Sequence, residues 1–229
     1  MWQALYQELG PHGLQIVTVA LDTGGVEAVR SWIEAAQPQH PSLIDQAHVV
    51  DELFGITNVP SGIWIDEQGT IVRPPETAYP ARPNYQEREI PPDASAREIA
   101  EIGEVKKLRT EAEKYVFALR DWVAHGATSR FVLTSEEVRR RSRPRSREEA
   151  RAAAHFELGQ HLHRLCHPEH AIRHFREAYH RHPDNWTYKR QAWELLGPDQ
   201  NPLEVYGSDW LSDVRKIGAE NYYPPLEME

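Results

Sequence analysis

The apolar positions in the first third of the chain change their period several times, which indicates alternating helices and strands. Trp2, Leu5, Tyr6 and Leu9 recur at helical spacing and predict a short amphipathic helix that ends at Gly10. The run at 14–22 is almost unbroken in apolar and β-branched residues, so it predicts a strand covered on both faces. The pattern then predicts a helix over 26–36, a short helix over 45–56, and a β-hairpin made of 63–65 and 70–72.

Proline marks a boundary after this α/β region. Six prolines fall between Arg73 and Asp93, and this composition predicts a linker at 74–94. Helical patterns dominate afterwards: one helix from about 95 to 124, one that starts near Ser135, and one capped by Ser146 with Glu149 in capping-box spacing. We therefore expect an α/β domain at 1–73 and an all-α region at 95–229, each with its own core.

A short motif before the predicted hairpin is the most specific element of the first domain. The segment Asn58-Val59-Pro60-Ser61 precedes an apolar strand that ends in Asp66. Together with the order of helices and strands over 1–73, it resembles the thioredoxin-like superfamily, especially its thiol-disulfide oxidoreductases and the related peroxiredoxins. The resemblance implies that the peptide bond before Pro60 is cis. It also implies that the backbone of Val59 pairs with an extended substrate peptide.

The redox cysteines of that superfamily have no counterpart in this sequence. A thioredoxin-like domain begins with a strand and then carries C-x-x-C at the start of its first helix, whereas this chain opens inside that helix. The one cysteine is Cys166, so we expect no catalytic residue and no turnover of disulfides. We also expect the thioredoxin-like domain to be incomplete, with its first strand missing. The gap would be closed by direct pairing of the neighbouring strands, by a strand shared in a homodimer, or by an upstream segment of a longer protein, which we favour.

The histidine-rich stretch at about 152–185 carries a second motif. It matches the tetratricopeptide pattern at Leu158-Gly159, Ala171, Phe175, Ala178 and Pro183. The pattern predicts a helical hairpin with small residues where the two helices approach, followed by a capping helix that starts near Trp186. By resemblance, the first helix of the hairpin presents Phe156, Gln160 and His163 to a protein partner. The alternative is a hairpin that only packs against the long helix around 115–122.

Charge and composition exclude several classes of function. The formal net charge of −9 argues against general binding to nucleic acid, and glutamates flank the one arginine-rich run, at 139–147. No apolar run is long enough to span a membrane, and no secretory signal is recognisable, so the sequence predicts a cytoplasmic protein. His163/His167 and His170/His174 have the i, i+4 spacing of metal ligands, but no third ligand completes either pair. We expect neither a metal nor a cofactor.

Two hypotheses of function follow from these patterns. In the first, the protein is a thioredoxin-like module without redox cysteines that acts by binding a protein partner. In the second, it is part of a thiol-disulfide oxidoreductase or peroxide-reducing redoxin whose cysteines lie upstream of Met1. The first assigns the chain no enzymatic activity, whereas the second assigns activity to a longer protein.

Overall fold

A computed structural model describes residues 1–197 and 199–228 and has a mixed α/β fold. The first part alternates α1 (Trp2–Leu9), β1 (Thr18–Leu21), α2 (Val26–Ala36), β2 (Ser42–Asp45), α3 (Val49–Phe54), β3 (Ser61–Ile65) and β4 (Ile71–Thr77). The second part consists of α4 (Ala96–Val105), α5 (Ala112–His125), α6 (Ser135–Arg141), α7 (Arg147–Arg164), α8 (Pro168–Arg181), α9 (Trp186–Glu194), α10 (Pro202–Tyr206) and α11 (Trp210–Ile217). The predicted order, an α/β region followed by helices, is confirmed.

The four strands form two separate sheets. β1 pairs in parallel with β2, so that Thr18 lies opposite Ser42. β3 pairs with β4 in an antiparallel hairpin. Within the described residues β1 and β3 are not paired with each other, so direct pairing of these strands does not close the predicted gap. Sheets of two strands have little stability of their own and depend on the elements that pack against them.

The first strand is shorter and less buried than the sequence predicts. β1 holds four residues of the predicted run at 14–22, and all four are partly exposed. Ile16 is buried in the core, whereas its neighbour Val17 is 50% exposed. An apolar run cannot reveal by itself that only one of its two sides meets the core. Strand β2 was not predicted, because Ser-Leu-Ile-Asp is too short to establish a period.

The segment predicted as a linker at 74–94 begins inside the second sheet. β4 continues through Pro74 and Pro75 to Thr77, and the chain then buries Ala78 and Tyr79. Prolines are tolerated here because β4 lies at an edge, and because its pairing with β3 is interrupted by two irregularities. Part of the proline-rich segment is therefore a strand, and the connecting segment begins only after Pro80.

The helix predicted from about 95 to 124 is two helices. Ser95 caps the start of α4 with a capping box, but that helix ends at Val105 and α5 begins at Ala112. Leu108 lies between them and is buried with Tyr79 and Trp186. Tyr115 of α5 lies in the first core instead, and the chain turns between the two helices.

The predicted α/β and helical regions share a core. Leu5 and Leu9 of α1 pack with Trp64 of β3 and with Tyr115 and Leu119 of α5. The indole of Trp64 donates a hydrogen bond to the Tyr115 hydroxyl at 3.1 Å. Residues 226 and 228 near the carboxy terminus are buried in the same cluster. The two regions therefore do not have the separate cores that the sequence predicts.

The predicted helical hairpin is formed by α7 and α8. Ser146 and Glu149 make the expected capping box at the start of α7. Gly159 lies where the two helices approach, since a Cβ atom there would be 2.7 Å from the ring of Phe175. The hairpin core contains no residue of α5, so the alternative packing against 115–122 is not observed. Trp186, Tyr222 and Tyr223 form a third buried cluster with Tyr79, whereas Tyr188 and Tyr206 belong to the hairpin core.

The arginine-rich run lies between α6 and α7 and is paired with its own flanking carboxylates. Arg140 and Arg141 contact Glu137, and Arg143 contacts Glu149. These ion pairs reduce the positive potential of the run. In the ranges 1–197 and 199–228, no helix combines the length and the apolar character needed to cross a bilayer.

Candidate functional site

The loop that carries the thioredoxin-like motif is held by its own polar groups. The Val59–Pro60 bond is cis, as predicted. The amide of Val59 donates to Oδ1 of Asn58 at 2.9 Å, and the Ser61 hydroxyl donates to the Asn58 carbonyl at 2.7 Å. The carbonyl of Pro60 accepts from the Ala78 amide at 3.1 Å, which extends the hairpin of β3 and β4 by one bond.

Residues from the carboxy-terminal part cover this loop. The Tyr223 hydroxyl donates to the Val59 carbonyl at 3.4 Å, and the Asn58 side-chain amide donates to the carbonyl of Tyr222 at 3.2 Å. The Trp186 amide, at the start of α9, donates to the Thr57 carbonyl at 2.6 Å. Both backbone groups of Val59 therefore have partners within the chain. The pairing of Val59 with a substrate peptide, which the resemblance implies, would have to displace Tyr223.

A cluster of tyrosines lies behind the loop and beside a cavity of about 340 Å³. The Tyr79 hydroxyl donates to the Tyr223 hydroxyl at 2.8 Å and lies 2.9 Å from that of Tyr85. Burial and the neighbouring tyrosines raise the pKa of Tyr79 far above its usual value, so the phenol stays neutral. Neutral phenols can orient a polar ligand but cannot act as bases or nucleophiles near neutral pH. Cys166 makes no contact with this cluster and is exposed at the turn between α7 and α8.

Two of the three residues predicted to face a protein partner are already covered by the same chain. Phe156 and Gln160 are buried, and the Gln160 side-chain amide donates to Oγ1 of Thr23 at 2.9 Å. Phe156 stacks on Tyr188 with ring centroids 4.2 Å apart. His163, the third residue, is partly exposed and lines a cavity of about 470 Å³ between α8 and α9. The hairpin thus binds the α/β part of its own chain, and only the His163 end of the predicted groove stays open.

A buried polar network joins these two parts of the molecule. The His48 ring lies 3.0 Å from Oδ2 of Asp51 through Nδ1 and 3.0 Å from Oε1 of Gln191 through Nε2. The same Oε1 accepts the Thr23 amide at 2.9 Å, which fixes it as an acceptor. Both ring nitrogens therefore face acceptors, and the ring satisfies both only when it carries two protons. Burial alone would lower the pKa of His48, but the bonds to Asp51 and Gln191 outweigh it, and the pKa is raised.

This charge state predicts how stability depends on pH. Because the pKa of His48 is higher in the folded than in the unfolded chain, the protonated ring stabilises the folded state fully at pH values below the unfolded pKa, about 6.5. This stabilisation is lost as the pH rises through the folded-state pKa. We expect the free energy of unfolding, measured by urea titration between pH 5.5 and 8.5, to fall with rising pH. In His48→Gln this part of the decline should disappear, and an unchanged slope in that variant would contradict the assignment.

Two further histidines contact each other across the hairpin. Nδ1 of His155, on α7, lies 2.9 Å from Nδ1 of His174, on α8. This pair differs from His163/His167 and His170/His174, which have i, i+4 spacing in the sequence. In the described part of the chain no three histidine, cysteine, aspartate or glutamate side chains converge to hold a metal ion. The His155–His174 contact has the geometry of a hydrogen bond between two imidazoles.

One exposed surface was not recognised from the sequence. Ile16 and Trp64 point into the first core, so their neighbours along the strands point to the opposite side. We call the outer side of the β1–β2 sheet the open sheet face, and it consists of Val17, Val19, Leu21 and Leu43. Ile63 and Ile65 lie on the outer side of the separate β3–β4 sheet. Val17, Leu43 and Ile65 are 50%, 54% and 46% exposed. The unbroken apolar run at 14–22 contained this signal, but the sequence does not show which side of the strand lacks a cover.

No protein-family model, curated protein or solved structure matches this chain. Its function is therefore inferred from the geometry of the surfaces described above.

Proposed function

We propose that this protein acts by binding a protein partner and that it performs no redox chemistry of its own. We further propose that its α/β part is a thioredoxin-like module without redox cysteines. The order of helices and strands over 2–77, the parallel pairing of β1 with β2 and the β3–β4 hairpin support this relationship. The loop around Pro60 contacts tyrosine, asparagine and tryptophan residues and no thiol.

The open sheet face is the observation that carries the proposal of partner binding. Val17 directly precedes β1, and Leu43 lies on β2, which pairs with β1. Exposed apolar side chains on neighbouring strands favour association with another protein. The predicted groove on α7 is largely filled by the chain itself, and the groups of Val59 have internal partners. The open sheet face, in contrast, is apolar surface that the chain leaves exposed, so we propose it as the site that binds another protein.

Site-specific photo-crosslinking tests this proposal. A photoreactive phenylalanine analogue is placed at position 43, on the open sheet face, and in a second protein at position 117 of α5. Phe117 is a matched control, because its side chain is 56% exposed and Leu43 is 54% exposed. We expect discrete adducts from position 43 that are absent from position 117. The partner so identified should then bind the purified protein, and Leu43→Glu should weaken that binding. Adducts that are equal at the two positions, or absent from both, would contradict the proposal.

A further inference from the structure

Two imidazole rings meet on the surface of the α7–α8 hairpin. His155 lies on α7 and His174 lies on α8, and both side chains are partly exposed. Their Nδ1 atoms are 2.9 Å apart, and their ring centroids are 5.1 Å apart. One ring therefore carries its hydrogen on Nδ1 and donates it, while the Nδ1 lone pair of the other ring accepts it. Two nitrogen atoms from different helices thus converge on one proton.

The hairpin core fixes the backbone positions from which these two rings extend. Phe156 and Phe175 each follow one of the histidines in the chain, and both are buried. Gly159 allows α7 and α8 to approach closely, since a Cβ atom there would lie 2.7 Å from the Phe175 ring. The backbones of residues 155 and 174 are therefore held by packing, whereas the partly exposed rings can turn about their side-chain bonds. Such a pair can reorient toward a ligand without any change in the fold.

We propose that His155 and His174 bind one divalent transition-metal ion through their two Nδ1 atoms. Two nitrogen ligands at about 2.0–2.1 Å from one ion lie about 2.9 Å apart when the angle at the ion is 90°, and about 3.3 Å apart in a tetrahedral site. The observed separation of 2.9 Å matches the right angle. Right angles are typical of the square-planar and tetragonal sites that Cu²⁺ and Ni²⁺ prefer, and imidazole suits both ions. The ligand class is therefore a divalent ion of this kind.

Metal binding replaces the hydrogen that the two rings share. In the free protein the donor ring carries its single hydrogen on Nδ1, and in the metal complex it carries that hydrogen on Nε2. Both Nδ1 lone pairs are then directed to the ion, and each ring tilts, because the two nitrogen atoms point at each other in the free pair. A neutral pair releases no net proton, and neither the ion nor the protein is oxidised or reduced. Water occupies the other coordination positions, since within 1–197 and 199–228 no three histidine, cysteine, aspartate or glutamate side chains converge.

This pair differs from the one that the sequence suggests. His155 and His174 are 19 residues apart and come together only through the hairpin. His170 and His174, in contrast, have the i, i+4 spacing of two ligands on one helix. The proposal assigns the ion to the pair that bridges two helices, and it replaces the expectation that the chain binds no metal.

Calorimetry with Ni²⁺ and three alanine variants tests the assignment. Ni²⁺ is the probe because Cu²⁺ readily oxidises exposed thiols such as Cys166. The full chain is titrated in a buffer that does not coordinate the ion, beside His155→Ala, His174→Ala and His170→Ala. Loss of a residue that only orients a metal ligand weakens binding about 10–100-fold, so loss of either ligand should weaken it at least roughly tenfold. His170→Ala is the matched control, because it removes an exposed histidine from the same helix as His174, and it should leave the affinity unchanged.

Paramagnetic line broadening locates the ion in the unmodified chain, so it decides the assignment even if a variant fails to fold. A substoichiometric amount of Ni²⁺ should broaden the amide signals around residues 155 and 174 before those elsewhere. If His170→Ala abolished binding and His155→Ala did not, the ion would belong to the i, i+4 pair and the proposal would be wrong. Broadening that begins at other histidines, or no binding of Ni²⁺, would also overturn it. The crosslink from position 43 tests partner binding independently of these results.

Discussion

Replacing Arg73 with methionine is expected to lower the free energy of unfolding by about 3–5 kcal/mol, because the change removes a buried guanidinium and leaves the largely buried Glu76 carboxylate with only Arg141, at 3.4 Å. The Arg73 guanidinium donates to Glu76 at 2.7 Å, to the Phe131 carbonyl at 2.6 Å and to the Glu227 carbonyl at 3.0 Å. It also lies over the ring of Trp64, 5.6 Å from the centroid. One side chain thus connects β4 to the segment before α6 and to the carboxy-terminal residues. Urea unfolding of the variant measures the loss.

Two further variants separate the buried pair from a general effect of charge. Arg140→Met removes an arginine whose ion pair with Glu137 is exposed, and it should leave stability nearly unchanged. Arg73→Met combined with Glu76→Leu removes both partners and should recover part of the loss, since no unpaired carboxylate stays buried. Burial raises the pKa of Glu76, and Arg73 opposes this effect but does not cancel it. The charged form of the carboxyl therefore depends on Arg73. If Arg73→Met alone were as stable as the unmodified protein, the Arg73–Glu76 pair would not stabilise the fold.

The same substitution, glycine to alanine, is expected to have opposite effects at two helical positions. In Gly159→Ala the new Cβ would lie 2.7 Å from the buried ring of Phe175, so the α7–α8 hairpin must open, at a cost of about 1–3 kcal/mol. In Gly103→Ala the new Cβ on α4 meets nothing within 4 Å, and the better helix propensity of alanine should stabilise the protein by up to about 1 kcal/mol. Thermal unfolding of both variants measures the difference. Equal shifts would contradict the close approach of α7 and α8.

The features that the sequence predicts correctly depend on residues close together in the chain. Ser146 and Glu149 are three residues apart, and their capping box forms as expected. Gly159 and Phe175 belong to one hairpin, and the spacing of the motif fixes their contact. The cis bond before Pro60 follows from a resemblance carried by neighbouring residues. In each case the chain needs no distant partner to specify the local structure.

The features that the sequence does not predict depend on partners far along the chain. Gln160 appeared as a residue for an external partner because nothing near it indicates Thr23, 137 residues away, as its hydrogen-bond partner. The burial of Arg73 requires a carbonyl at position 227, and the break at Leu108 requires a cluster built from three parts of the chain. A pattern of hydrophobic positions contains no information about such pairs. The free edges of β1 and β3 were not predicted for the same reason. Whether a strand has a free edge depends on which other strands pair with it.

The position of residues 226–228 has a consequence for how the protein folds during its synthesis. Leu226 and Met228 complete the core that contains Leu5 and Leu9, and the Leu226 carbonyl accepts from Nζ of Lys114 at 2.6 Å. At about 5–20 residues per second, the ribosome adds these residues roughly 10–45 seconds after α1 has been made. During that time the apolar face of α1 lacks part of its cover, so the nascent chain exposes an apolar site for chaperones until residues 226–228 have been made. The core that contains α1 is therefore completed only after residue 228 has been made.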